Sequence, residues 1–387
     1  MTARAAVVTP MLLLATLLAA CSTGTDATPA PATANASASG SGAVEPFCGD
    51  TLREIAARAK NEGALTLVGL PGEWANYRAV VESFQDMYDI KVTDINPTSS
   101  SVQSIAAAES MRGQPDRPDA LDVGSSFVEQ AIDAKVVTPY RSTNWPEIPD
   151  SMKDPNGYWV GAYYGIMSIA VDTRVQPVVP TTWADLKDPR YRGQVTMNGD
   201  PRESGVGFGA VVAAALANGG TLDNVKPGIE YFADLRKSGN LKIAGMDNEG
   251  VLIDSSPVVL DWSYNFGRVG TDYGTPDSPI KVVIPSDGQY GAFYTQSVIA
   301  DAVHPCAARL WIEHVTSDSG AMGFLNGLAI PARLAALEAF GLVRANLRDR
   351  LPTPRQLNDT EMSDPNKLVT AQQQVDKLWG PLVLGEK

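Results

Sequence analysis

Two places in the chain set a carboxylate directly beside an indole: Glu73-Trp74 and Asp261-Trp262. An acid neutralises an organic cation and a ring face attracts an ammonium, so this pairing suits an amine-bearing solute. A second group carries hydroxyls. Ser99, Ser100, Ser125, Ser126 and Ser204 stand in loops that follow predicted strands and lead into predicted helices. Serine hydroxyls and the free N–H groups of a helix N-terminus suit anions. Tyr163, Tyr164, Tyr264 and Tyr290, with Tyr294 near the last of them, offer rings and phenols, and Asp200 adds a carboxylate. Each residue also has a structural reading: Asp261 as a turn cap, Trp262 as core, residues 99–101 as a plain loop.

Other chemistries are poorly provided for. The chain has two histidines, His304 and His314, and three cysteines, Cys21, Cys48 and Cys306, which leaves almost no room for a Cys/His zinc cluster. No metal or cofactor is expected. A phosphate-binding loop of the form Gly-x4-Gly-Lys-[Ser/Thr] is absent, so the chain should not hydrolyse ATP, and Gly205-Val206-Gly207-Phe208-Gly209 has the wrong glycine spacing for a dinucleotide site. A hydrolase would have to use an acid pair such as Asp261 with Asp200, or a serine with one of the two histidines. No Gly-x-Ser-x-Gly elbow accompanies them, and both histidines lie at or within one predicted helix. We therefore expect no enzyme. The formal net charge of -13 argues against nucleic acid as a partner.

These residues need elements to position them. The 387 residues, 44% hydrophobic and 19% charged, suffice for two cores. Periodicity predicts helices over 51–62, 74–89, 102–112 and 128–134, alternating with short apolar strands over 64–69, 90–95 and 120–124. Strand and helix alternating at this spacing imply an α/β protein with a mostly parallel sheet. A long extended run, residues 158–172, precedes a second unit with a helix capped by Thr182, strands at 194–197, 257–262 and 280–284, and helices at 205–217 and 226–236. A second extended run, 292–300, leads to helices at 305–316, 320–328, 334–340 and 364–379. Two long runs bracketing a middle unit suggest two α/β lobes joined by two crossover strands, with a ligand cleft between them where the parallel strands end. The expected division is 47–164 and 291–387 for the first lobe and the C-terminal helices, with 165–290 for the second.

The chain begins differently. Residues 1–20 carry Arg4 and an apolar run over 11–20, too short to span a membrane and fitting a secretory signal. Leu18-Ala19-Ala20-Cys21 then resembles a bacterial lipobox, in which the cysteine is acylated with palmitate-like chains and anchors the protein to the extracytoplasmic face. Residues 21–46 are almost all Ser, Thr, Ala, Gly and Pro, a flexible tether with a reach on the order of 25–30 Å. Cys48 and Cys306 remain, either bonded to each other or buried as free thiols.

Residues 180–195, which include Thr182-Trp183-Ala184-Asp185-Leu186, closely resemble a segment of solute-binding proteins of bacterial ABC importers, in the branch containing polyamine and ferric-iron receptors. Leu121-Asp122-Val123-Gly124-Ser125-Ser126, residues 161–165 and residues 302–311 are similar too, so the resemblance covers roughly residues 54–333. It implies the type II periplasmic binding protein fold, capture of a small polar solute, and delivery to a permease driven by a separate ATPase. It also implies a monomer. A sensor protein is an alternative partner. The acid–aromatic pairs favour a polyamine-like cation. The ferric branch carries adjacent tyrosines after the strand occupied here by residues 258–260, where this chain has Asp261-Trp262-Ser263-Tyr264. Only Tyr264 could serve there, with Tyr163-Tyr164 as an adjacent pair elsewhere.

Overall fold

The computed structural model describes residues 47–245, 256–269 and 278–386. The proposed signal, Cys21 and the tether lie outside them. Helix α1 (Leu52–Glu62) starts where Thr51 and Glu54 cap each other's amides and stops at Gly63, whose φ of 74° needs no side-chain accommodation. Then follow β1 (Ala64–Leu67), α2 (Tyr77–Tyr88), β2 (Lys91–Asp94), α3 (Ser101–Ser110), β3 (Ala120–Gly124), α4 (Val128–Asp133) and β4 (Val137–Thr138). The long strand β5 (Val160–Asp172) leads to β6 (Val195–Asn198), α5 (Gly205–Ala217), α6 (Lys226–Ser238), β7 (Leu241–Ala244), β8 (Val258–Trp262) and β9 (Ile280–Val283). Strand β10 (Tyr290–Ile299), helices Pro305–Val315 and Asp318–Asn326, β11 (Ile330–Pro331), short helices Leu334–Ala339, Ala345–Arg348 and Pro354–Asp359, β12 (Glu361–Met362) and the helix Pro365–Trp379 follow.

Pairing divides the sheet at the middle of β5. Residues 161–166 run antiparallel to β10, whose far side carries β3 and β4. Residues 167–172 pair instead with β8 and β9, and β8 continues through parallel β6 to β7. Strands β1 and β2 are parallel and lie on the first side. This is the expected two-lobed α/β architecture, with β5 as one of the crossings. Helix α5 shows why the second lobe is dense. It is apolar all round and buried from Gly205 to Ala215, and its small residues let α6 approach so closely that a Cβ on Gly228 would meet the Val211 carbonyl at 2.1 Å.

Several details differ from the sequence reading. The helix expected from residue 74 begins at Tyr77, because Trp74–Asn76 form a 3₁₀ turn with Ala75 and Asn76 at positive φ. The helix expected at Thr182 is only a 3₁₀ turn, Ala184–Lys187. Its carboxylate, Asp185, holds the Thr181 and Thr182 amides, and Pro189 opens a second short turn. Strand β7 was not anticipated, since Leu241 alone of its four residues is buried.

Cys48 and Cys306 are joined, with Cα atoms 5.4 Å apart. The bond ties the segment before α1 to the first turn of Pro305–Val315. There the Glu62 carboxylate also accepts from the Cys306 and Ala307 amides. Among the described residues no helix is long and apolar enough to cross a membrane.

Candidate functional site

The ends of β1, β2, β3 and β6 deliver their following loops to one place, as parallel strands do. There a cavity of about 20 Å³ is lined by Gly69, Pro71, Trp74, Ser99, Ser101, Asp122, Gly205 and Tyr294. It has room for about one water molecule, so the structure is a closed one. Gly205, at the first turn of α5, comes from the second lobe. A Cβ there would lie 3.0 Å from the Tyr294 hydroxyl and 3.7 Å from the Cα of Gly124.

Aromatic rings close the cleft. Trp74 stands edge-on to Tyr264 at 5.7 Å and to Tyr294 at 5.4 Å, and its indole N–H donates to the Tyr163 hydroxyl at 2.9 Å. Tyr163 stacks on Tyr294 at 5.6 Å and meets Tyr264 edge-on at 5.7 Å. The strained turn at residues 74–76 is what turns the indole away from the helix axis and into this cluster. Burial pushes the phenols of Tyr163, Tyr264 and Tyr294 well up, with neighbouring acids adding to it.

The carboxylate of the site is Asp122, in the middle of the buried strand β3. Its Oδ2 accepts from the Tyr77 hydroxyl and from the Gln296 amide, which is in turn held by the Trp311 indole N–H at 3.0 Å. Among the described residues no hydrogen bond reaches Oδ1. Desolvation pushes this acid up to about 7, with the two hydrogen bonds pulling the other way and Asp94 adding repulsion. The cavity therefore presents a poorly solvated carboxylate in the same lining as Trp74 and Tyr294.

The residues singled out by sequence divide sharply. Trp74, Ser99, Tyr163 and Tyr264 come together at the cleft, with Tyr294. Ser100 and Ser204 cap α3 and α5, accepting from the Gln103 and Gly207 amides. Asp261 does not face the cleft. Its carboxylate takes the Trp262 amide at 2.6 Å and the side-chain amides of Asn265 and Asn198 at 2.8 Å each. Trp262 is core: its ring covers Gly209, where a Cβ would lie 2.4 Å away, and tilts against the buried Tyr290. Only its indole N–H reaches the cluster, donating to Tyr294 at 3.3 Å. Asp200 is clasped by Arg202, which also bridges to Glu386. Glu73 is paired with Arg78 and borders a separate cavity of about 200 Å³ beside Tyr264. Ser125 donates to Ser363, and Ser126 is half-buried without lining the cavity.

Tyr164 points to the opposite face from Tyr163, as alternation along a strand requires, and packs with Leu325 and Ile330. Burial pushes it up to about 12. The adjacent pair therefore cannot act together on one ligand. Sequence reasoning placed Ser101 and Gly205 in its candidate loops, residues 98–101 and 203–205, and did not single out Asp122 as a contact. For Asp122 the signal was present: a lone acid inside an otherwise apolar five-residue strand.

A larger cavity, about 710 Å³, lies between residues 150–159 and 361–367, and none of the expected site residues is among its described lining. Its acids have local partners: Asp154 accepts from the Asn156 and Tyr158 amides, and Asp150 pairs with Lys153. We place the site at the strand ends, where two lobes converge.

Residues 118–355 match the family model described as bacterial extracellular solute-binding protein. The chain is 28% identical over 236 residues to the spermidine/putrescine-binding periplasmic protein of Escherichia coli strain K12, covering 59% of this chain and 62% of that relative. Among solved structures, the periplasmic binding protein AfuA of Actinobacillus pleuropneumoniae, with fructose-6-phosphate bound, superposes with a TM-score of 0.65 at 18% identity, covering 83% of this chain and 99% of that one. The apo ferric ion-binding protein A of Pasteurella haemolytica gives 0.63 at 15% identity, covering 84% and 99%. These two likenesses show the type II periplasmic binding protein fold. On the family match, the chain belongs to the bacterial extracellular solute-binding proteins.

Proposed function

We propose that the chain, anchored through Cys21, captures an amine-bearing organic solute outside the membrane and presents it to an ABC permease with its separate ATPase. The observation that carries this reading is Asp122: a buried carboxylate with one oxygen unengaged among the described residues, lining the same cavity as Trp74 and Tyr294. An ammonium there would gain a charge-assisted hydrogen bond and the attraction of the ring faces. The relative that binds spermidine and putrescine supports a polyamine as the first candidate. The net charge of -13 favours encounter with cations. A solute larger than one water must part Trp74 from Tyr264 and Tyr294, so it would shift the lobes toward an arrangement wider than this one, by its preference for that form. A hydrolase finds little support, because the Asp200 and Asp261 carboxylates are both engaged by neighbours.

Ferric iron is a second reading, and it rests on the rings of Tyr163, Tyr264 and Tyr294 clustering around Trp74. Each is held protonated by burial, so iron would have to displace those protons. A thermal-shift panel of putrescine, spermidine, ferric citrate and fructose 6-phosphate separates the classes. A ligand at 100 times its Kd stabilises by about 2.7 kcal/mol. We expect shifts from amines. A shift from ferric citrate alone, with a visible phenolate band, or from the sugar phosphate alone, would overturn the amine reading.

A further inference from the structure

Resting on that reading, we infer that the solute carries an acidic group as well as its amine, so that an amino acid-like zwitterion fits this cleft better than a diamine. Two helices begin at the cavity, α3 from one lobe and α5 from the other, and their first residues, Ser101 and Gly205, both line it. Their caps serve the third amide of each helix: Ser100 Oγ accepts from Gln103 N–H at 3.2 Å and Ser204 Oγ from Gly207 N–H at 3.3 Å. The first two amides of each, on Ser101 and Val102 and on Gly205 and Val206, have no acceptor within the helix. Each helix also directs the positive end of its dipole here.

The second observation is Ser99. It is 6% exposed, it lines the same cavity, and its hydroxyl has no hydrogen-bond partner among the described residues. A buried hydroxyl left unpaired is costly, and an acceptor on a ligand would relieve it. Among the described lining residues there is no Lys or Arg, so backbone dipoles and hydroxyls would do the work of holding an anion.

Charge complementarity then decides the class. An anion alone would meet the Asp122 carboxylate without compensation. A dication would set its second ammonium against the helix N-termini. A solute with one group of each sign places the ammonium on Asp122 and the acid on Ser99 and the two helix starts.

The test is calorimetry on the purified chain at pH 8. Each ω-amino acid from 3-aminopropionate to 6-aminohexanoate is compared with the diamine of equal length, with succinate as the diacid, and O-phosphoethanolamine is compared with ethanolamine. We expect at least one zwitterion, carboxylate or phosphate, to bind about tenfold or more tightly than its matched cation, the loss expected when one charged hydrogen-bonding group goes unanswered. Succinate should give no heat. Ser99→Ala should weaken that zwitterion by about tenfold and leave its matched amine unchanged. Diamines binding as tightly as the amino acids, or Ser99→Ala weakening both alike, would overturn the inference and leave the amine reading standing. Absence of binding by any amine in the panel would overturn both.

Discussion

Replacing Asp122 by Asn isolates the cost of holding this acid in the cleft. The carboxyl is pushed from its ordinary value of 3.8 up to about 7 by burial. Because the folded value lies above the unfolded one, the native state binds the extra proton between those limits, and stability falls as pH rises from about 4 to 7. The full penalty is present above pH 7. Three units at 1.36 kcal/mol each set it at about 4 kcal/mol. Asn keeps a carbonyl oxygen for the Tyr77 hydroxyl and the Gln296 amide, and turns its NH₂ toward the cavity. If that NH₂ goes unpaired it returns about 1–3 kcal/mol. The variant should therefore be more stable than the parent by about 1–4 kcal/mol at pH 8, which, at about 2.1 cal/mol/K per residue over the unit Glu45–Lys387, is roughly 1–6 °C in Tm. At pH 4 or below the gain should vanish. Paired calorimetric scans of the ligand-free proteins at both pH values make the check. Because both chains carry the same Asp94, Tyr77, Tyr163 and Tyr294 around position 122, their difference cancels those titrations. The same variant should lose amine binding by about tenfold or more, the worth of a charged hydrogen bond. A variant that is no more stable at pH 8 than at pH 4, relative to its parent, would refute the picture of a desolvated, partly engaged carboxylate.

The other expectations follow from packing. Trp262→Ala should cost about 3–5 kcal/mol in urea or guanidinium unfolding, because the ring fills core over Gly209 rather than lining the cavity; an unchanged midpoint with lost ligand affinity would show that the indole belongs to the site instead. Gly205→Ala places a methyl 3.0 Å from the Tyr294 hydroxyl at the junction of the lobes. It should weaken ligand binding by about tenfold with little change in the ligand-free Tm, and small-angle scattering should show a more open ligand-saturated form than the parent gives. Removing the Cys48–Cys306 bond by double substitution with Ser releases a constraint between residues 258 apart in sequence. That is about 5–6 kcal/mol in the chain-entropy limit, visible as a large drop in Tm that reducing agent alone should reproduce in the parent.

The chain's own order of residues determined most of the architecture. Alternating short apolar strands and amphipathic helices, with two long extended runs around a middle unit, can be satisfied by few topologies, since each element must bury its apolar face against a neighbour. The places where strands give way to helices were equally legible, and so was the loop set that forms the cleft, including Trp74, Ser99, Tyr163 and Tyr264. The chemistry at that cleft was decided elsewhere. Asp261-Trp262 and Asp122 look alike as text, one acid in an apolar strand each. Asn198 and Asn265 arrive from other positions to saturate the first, whereas Tyr77 and Gln296 both engage a single oxygen of the second and leave the other toward the cavity. Whether a polar atom stays available depends on which donors the fold brings to it. Apart from Asn265, four residues on from Asp261, those donors lie tens to hundreds of residues away, beyond the reach of any local pattern. The same holds for Cys48 and Cys306, whose composition left bonding open until the packing of α1 on the helix Pro305–Val315 brought their Cα atoms to 5.4 Å.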